Sequence, residues 1–268
     1  MTAVAQYADA IFGTVKRDAL IFFSYRFRVV TQILTMLFTL TMFFYIAKLV
    51  RPDAVGSHGQ YFAFVVVGIV GLAVLTSALN ISEAIRLELM QGNFERILIS
   101  PLGPVGGVIA AGIFPILYSA VFAGTMLTLA VAFFGVPLDP VGIVPALGVA
   151  MLGAAALGCI GLLFVGGLLA YKSAMGITWV LAGFGLLGGV YFPVKLFPIW
   201  IRWTSEAQPF TPAVDLVRHL LVNTPTTEPV WLELTKLAGF TALLVPLSTA
   251  VLWTAVNFSR RRGTIMEF

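Results

Sequence analysis

The sequence predicts an all-α polytopic membrane protein, with an N-terminal interfacial helix and six membrane-spanning helices. A polar helical segment lies on one side of the membrane and a pair of re-entrant helices on the other. Three observations carry this prediction. The chain is 59% hydrophobic and only 10% charged, whereas a soluble globular protein carries about 25% charged residues. No ordinary core hides that much apolar surface from water. The apolar residues are gathered into charge-free runs of about 20 residues, the length that a bilayer core requires. The Lys and Arg residues behind the formal charge of +4 collect at the ends of those runs, where they act as orientation signals rather than as a nucleic-acid footprint.

Residues 1–28 mix Ile11, Phe12, Val15, Leu20, Phe22 and Phe23 with Lys16, Arg17, Asp18, Arg26 and Arg28. Such a stretch forms an amphipathic helix in the interface, basic residues toward the headgroups. It lacks the compact apolar core and small-residue cleavage site of a signal peptide. The membrane domain runs over 29–258. Its first span, 29–47, is rich in Leu, Phe and Met and is ended by Lys48, Arg51, Pro52 and Gly56. The second span is 61–80. The third is 106–134, where Pro115 predicts a kink, and a tight turn follows at 135–140. The fourth, 141–170, ends at the polar break Tyr171-Lys172-Ser173. The fifth is 174–192 and the sixth 237–258, with Pro246 inside it. A basic tail, 259–268, opens with Arg260-Arg261-Arg262.

The segment 82–104 is the long polar interruption between two such runs and holds Glu83, Arg86, Glu88, Glu95 and Arg96. Glu83, Arg86 and Met90 sit at three- and four-residue steps, as do Ile85 and Leu89, so a helix places each set on one face. Gly92-Asn93 breaks the helical pattern and Ser100-Pro101-Leu102-Gly103-Pro104 ends it. Crossing a membrane requires no such helix. Its charges, with Ile85, Leu89 and Phe94 beside them, point to a helix gripped by a partner in the water.

Six spans put both termini on one side. The N-terminal region, 82–104, Lys172 and the arginine triplet all fall there, which makes that side cytoplasmic. The opposite side holds the long segment 193–236. It is apolar or amphipathic at Phe197-Pro198-Ile199-Trp200-Ile201 and over 214–221, and Pro193, Pro198, Pro209 and Pro212 set its bends. Short helices re-entering the outer leaflet fit this pattern, since irregular backbone is tolerated there where protein buries it.

The spans offer almost no Asp, Glu, Lys, Arg or His, which argues against an ion-coupled carrier. His58 and His219 lie outside the spans and read as solvated or capping residues. No H-E-x-x-H, G-x-S-x-G or clustered His/Cys pattern marks an intramembrane enzyme or metal site. No G-x-x-x-x-G-K-[ST] occurs, so uphill transport would need another polypeptide to bind and hydrolyse ATP. The single Cys159 excludes an intrachain disulfide and reads as a packing residue. Gly185/Gly189 and Ala154/Gly158 have the small-xxx-small spacing that permits close helix contact, within the chain or between copies.

These features together resemble the ABC-2 class of ABC transporter permeases. EAIRLELMQGNFERILISPLGP at 83–104 is similar to that family's acidic-basic helix, glycine, glutamate and proline before the third span. FPVKLFPIWIRWTSEAQPFTPAVDLVRHLL at 192–221 is similar to its proline-rich re-entrant pair, except that Gln208-Pro209 stands where Asn-Pro is common. The plan of interfacial helix, six spans and short basic tail matches over nearly the whole chain. The resemblance implies a permease dimer, with this chain as a homodimer, in the inner (cytoplasmic) membrane and two copies of a separate ABC ATPase. ATP and magnesium would then belong to the ATPase, and this chain would hold no cofactor, no metal and no catalytic residue. Segment 82–104 becomes the coupling helix, with Glu83, Arg86, Glu88, Phe94, Glu95 and Arg96 as its ATPase-facing residues. The resemblance also implies a path at the dimer interface lined by the first, second and fifth spans. Those spans offer Met36, Phe38, Met42, Phe43, Phe44 and Tyr45, then Phe62 and Phe64, then Trp179 and Phe184. Flexible Met and flat aromatic rings suit a hydrophobic or amphiphilic cargo such as a drug, a lipid or a lipid-linked glycan.

Overall fold

The computed structural model describes residues 3–49, 58–92, 101–171 and 176–262. Among them are ten α-helices and one 3₁₀ turn, and no strand. They are α1 (Ala3–Ser24), α2 (Arg26–Leu49), α3 (His58–Leu79), α4 (Ile81–Met90), α5 (Gly103–Phe134), α6 (Ile143–Tyr171), α7 (Ile177–Leu187), α8 (Ile199–Glu206), α9 (Phe210–Val222) and α10 (Val230–Arg262). Five stretches are long and apolar enough to cross a membrane: Arg26–Leu49, Gly59–Met90, Val105–Phe134, Ile143–Tyr171 and Val230–Ser259.

Besides α10, which starts at Val230 within the expected re-entrant segment and continues to Arg262 within the expected tail, two expected boundaries move. The amphipathic helix expected to reach residue 28 ends at Ser24, and Arg26 and Arg28 belong to the first turn of the spanning helix α2. The second change is at α3 and α4, which form nearly one rod. The Asn80 amide donates to the Thr76 carbonyl at 2.9 Å and the Ala84 amide to the Asn80 carbonyl at 3.0 Å, so Asn80, a turn residue between the two helices, is bonded to both.

The fifth apolar run also differs from expectation. Its described part is α7, of 11 residues, which rises only about 16 Å at 1.5 Å per residue. The run stops early because Gly189, at φ +73°, turns the chain left-handed. Phe210 of α9 occupies the place where a Gly188 side chain would stand, its Cδ1 2.3 Å from that Cβ position. The helix is therefore closed by its own outer segment.

The centre of the bundle is α6, which packs most extensively along α10 and also against α9, α3 and α4. Small residues make this possible. A Cβ on Gly161 would lie 2.1 Å from the Ala78 carbonyl oxygen, so the α3 backbone touches α6 directly there. The two small-residue spacings face the same chain: the Gly185 Cβ position is 3.0 Å from Leu72 and that of Gly158 is 3.5 Å from Ile116. Cys159 is a buried free thiol in the same helix.

At the end of α5, Gly135 takes φ +65° and closes the helix. The following turn is tied to the outer segment, the Asp139 amide donating to the Leu221 carbonyl at 2.8 Å.

Candidate functional site

Helix α4 carries two faces. Ile81, Ser82, Ile85 and Leu89 are buried, and the apolar three pack with Val108 of α5, Leu162, Val165 and Leu169 of α6 and Leu252 of α10. This corrects one expectation. Ile85 and Leu89 do not face a partner, because the chain's own core takes them at the helical spacing that separates them from the charges. The opposite face presents Glu83, Arg86 and Glu88 together with two exposed apolar residues, Leu87 and Met90.

The charges on that face are organised. Arg86 grips Glu83 through Nε at 2.8 Å and Nη2 at 2.5 Å, and its Nη1 reaches Met90 Sδ at 3.3 Å. Glu88 is held from outside the helix: Arg17 of α1 donates through Nη2 to its Oε1 at 3.2 Å and through Nε to Asp18 Oδ1 at 2.8 Å. Helix α1 is thereby pinned to α4. Gly92, at φ +70°, supplies the expected break. Phe94, Glu95 and Arg96 lie outside the described residues.

The outer segment forms a short turn, Val194–Leu196, then α8 and α9. Helix α8 exposes Ile199, Trp200 and Trp203, whereas α9 is buried along most of its length. Its Arg218 is 1% exposed. The guanidinium donates to the carbonyls of Phe64 at 3.0 Å, Gly189 at 2.9 Å and Val190 at 2.8 Å, and stands 3.6 Å from Asp215 Oδ1. Burial pushes its pKa down to about 10 and Asp215 opposes that shift, so it stays charged at neutral pH. Asp215 accepts from the Thr227 hydroxyl at 2.5 Å. The departure at Gln208 is absorbed locally, its amide donating to the Thr211 hydroxyl at 3.1 Å. His219 bonds through Nδ1 to the Thr224 carbonyl at 3.0 Å, near the end of α9, in keeping with a capping role.

The sequence pattern does not reveal the burial of Arg218. The available signal was Asp215 three residues before it on an otherwise apolar helix. Arg17 was read only as a headgroup-facing cation, and its partner Glu88 is 71 residues away.

The candidate path residues divide between two environments. Met36 and Phe62 are sealed in the core cluster that also takes Phe43, Phe44 and Phe64 at its edge. Phe43 stacks on Tyr191 at 5.7 Å, and the Phe64 ring lies under the Arg218 guanidinium at 3.5 Å. Phe184 packs in a second cluster. Phe38, Met42 and Tyr45 are exposed on α2, and Trp179 is 83% exposed on α7. Within one copy of the chain, these residues do not line one surface.

The polar α4 thus follows one spanning helix and precedes another, and a proline-bent hairpin follows α7. A family model described as ABC-2 type transporter matches residues 12–222. The chain belongs to the ABC-2 type transporter family. None of the curated proteins compared with it matches. The matched stretch of this ABC-2 protein contains α4 and the whole outer hairpin and stops at Val222. Helix α10 lies beyond it, yet packs along α6 as its most extensive neighbour. As an ABC-2 membrane domain, the chain is a multi-pass transporter component and not itself catalytic, and its family implies association with an ABC ATPase.

Proposed function

We propose that this chain is the membrane subunit of an ATP-driven exporter in the cytoplasmic membrane. It moves a hydrophobic or amphiphilic substrate, such as a drug, a lipid or a lipid-linked glycan, with energy from two copies of a separate ATPase. The observation that carries this reading is the outward face of α4. An ABC-2 protein holds a rigid extension of a spanning helix whose free face offers Glu83, Arg86, Leu87 and Met90 to a partner. Charges at a wet interface give register and orientation, and exposed apolar residues give contact area. Phe94, Glu95 and Arg96, which follow Gly92 in the sequence, belong to the same proposed ATPase contact.

Two copies of the chain form the permease. The exposed apolar side of α2, with Phe38, Met42 and Tyr45, supports a seam with a second copy, and Trp179 extends the same apolar character to α7. Met36, Phe43, Phe62, Phe64 and Phe184 would join that path as the helices rearrange. Helix α7, closed by the outer hairpin, serves as a short fifth pass, which makes six with α10 and leaves both termini cytoplasmic. The protein's own contribution to the stroke is stiffness. The α3–α4 pair transmits a push on α4 into the bundle because Asn80 is hydrogen-bonded to both helices and Ile81, Ile85 and Leu89 are seated in the core.

The decisive experiment is reconstitution in liposomes with and without the ATPase partner. ATP-dependent movement that disappears when the ATPase is left out is the expected outcome. Transport by the lone chain under an ion gradient would instead make it an ion-coupled secondary transporter or channel.

A further inference from the structure

We propose that the cleft between α1, α3 and α5 binds the headgroup of an anionic phospholipid from the leaflet in which α1 lies. The cleft has a volume of about 310 Å³, within the range of small-molecule sites. One wall is aromatic: Phe22 of α1 stands 4.6 Å from Tyr118 and 6.2 Å from Phe114, ring centre to ring centre. Asp18, Arg28, Ser77 and Asn80 supply polar lining, beside Ile21 and Pro115. An apolar wall beside a polar rim matches the boundary between acyl chain and headgroup.

Charge decides the class of ligand. Arg28 makes no ion pair among the described residues; its guanidinium rests 5.0 Å above the Phe22 ring. Stacking on a ring leaves the edge N–H groups of a guanidinium free, and their fork fits two oxygens of a phosphate. Asp18, the acidic residue lining the cleft, is already held by Arg17 at 2.8 Å. Arg28 is therefore the charged group in the cleft lining that has no ion-pair partner among the described residues. The Asn80 amide and Tyr118 hydroxyl add neutral hydrogen-bonding groups for phosphate and glycerol oxygens.

Position decides the source. Leu20, Ile21, Phe23, Tyr25 and Phe27 are exposed around this end of α1 and α2, which sets the mouth at the depth where headgroups meet acyl chains. A basic pocket between spanning helices at that depth is suited to a lipid headgroup. The site bears on transport as well. Helix α1 is bonded to α4 through Arg17 and Glu88, so a lipid in the cleft braces the helix that braces α4.

The test uses the full chain, purified in detergent and titrated with phosphatidylglycerol while bound lipid is counted by native mass spectrometry. Arg28→Ala is expected to weaken binding about tenfold, and Asn80→Asp, which adds a negative charge at the rim, to act in the same direction. Arg28→Lys retains part of the affinity. Arg26→Ala, which removes an exposed arginine outside the cleft, leaves it unchanged. Phosphatidylcholine binds more weakly than phosphatidylglycerol, and millimolar inorganic phosphate does not displace the lipid. Equal losses in Arg26→Ala and Arg28→Ala would reduce the effect to general surface attraction and overturn the site. Equal binding of phosphatidylcholine, or displacement by free phosphate, would overturn the assignment to an anionic lipid.

Discussion

Arg218 and Phe64 meet twice. The guanidinium Nε donates to the Phe64 carbonyl at 3.0 Å, and the guanidinium carbon lies 3.5 Å from the centre of the Phe64 ring. With the bonds to Gly189 and Val190, this one side chain fastens α9 to α3 and to the turn that ends α7. Replacing it with Ala leaves a buried Asp215 and three carbonyls without this partner. We expect Arg218→Ala to cost about 3–5 kcal/mol, the range for breaking a buried charge pair. Arg218→Lys should recover only part of that loss, because an ammonium does not reproduce the planar fork. Thermal unfolding of the purified protein in detergent checks both; a shift no larger than that of an exposed Arg→Ala variant would refute the clamp.

Gly68 is the reason Arg218 fits. A Cβ at Gly68 would lie 2.3 Å from Arg218 Nη2 and 2.5 Å from the Val190 carbonyl oxygen. Gly68→Ala is therefore expected to destabilise by about 1–3 kcal/mol, as overpacking does. Combined with Arg218→Ala it should cost less than the sum, since the larger clash is with the side chain that is gone. Strict additivity in the double-mutant cycle would show that the two residues do not share this space.

Gly161 and Gly167 lie in the same helix and should respond in opposite ways. The Gly161 Cβ position is 2.1 Å from the Ala78 carbonyl oxygen, whereas the Gly167 position has nothing within 4 Å. Gly161→Ala must push α3 away from α6 and is expected to lose about 1–3 kcal/mol. Gly167→Ala should be neutral or gain up to about 1 kcal/mol from helix propensity. Unfolding midpoints of the two variants, measured side by side, decide it; equal midpoints would mean the close contact carries no weight.

These contacts mark where sequence reading ends. Charge-free runs gave the long spans, because a bilayer tolerates little else, and Gly92 gave the end of α4, because a left-handed turn favours glycine. What pattern alone could not give is which face of a short helix turns inward. Ile85 and Glu83 are equally compatible with a docking helix until Val108, Leu162 and Leu252 are seen to enclose Ile85. The fate of α7 was hidden for a related reason. Its hydropathy suits a span, but Phe210, a residue of the outer segment, fills the space beside Gly188 and the chain turns there. Arg218 is hard to read because three of its partners are backbone carbonyls, which leave no mark in a sequence, and only Asp215 at i−3 hints at its burial.

The bond between Arg17 and Glu88 predicts a functional effect larger than its stability effect. Both side chains are partly exposed, so breaking the pair should cost no more than about 1 kcal/mol. Yet it is a direct tie between α1 and α4. Glu88→Arg is expected to lower ATP-driven transport, and the double exchange Arg17→Glu with Glu88→Arg to restore it. Transport rates in liposomes containing permease and ATPase measure this; a double exchange no better than Glu88→Arg alone would remove the tie from the mechanism.

If α4 docks the ATPase as proposed, its two faces separate docking from folding. Leu87 and Met90 are exposed beside the charges, whereas Ile85 is 0% exposed among residues of α5, α6 and α10. Leu87→Asp and Met90→Asp should leave the unfolding midpoint nearly unchanged, because neither side chain is buried in the chain's own core. They should nonetheless weaken co-purification with the ATPase about tenfold or more if this face carries anchor residues of the interface. Ile85→Asp should do the reverse, preventing folding by placing a carboxylate where no partner is available. Pull-down of the ATPase, read together with unfolding midpoints, distinguishes the two classes. A folded Leu87→Asp/Met90→Asp protein that still holds the ATPase at full strength would show that docking is carried by another surface, and that the outward face of α4 serves only to be wet.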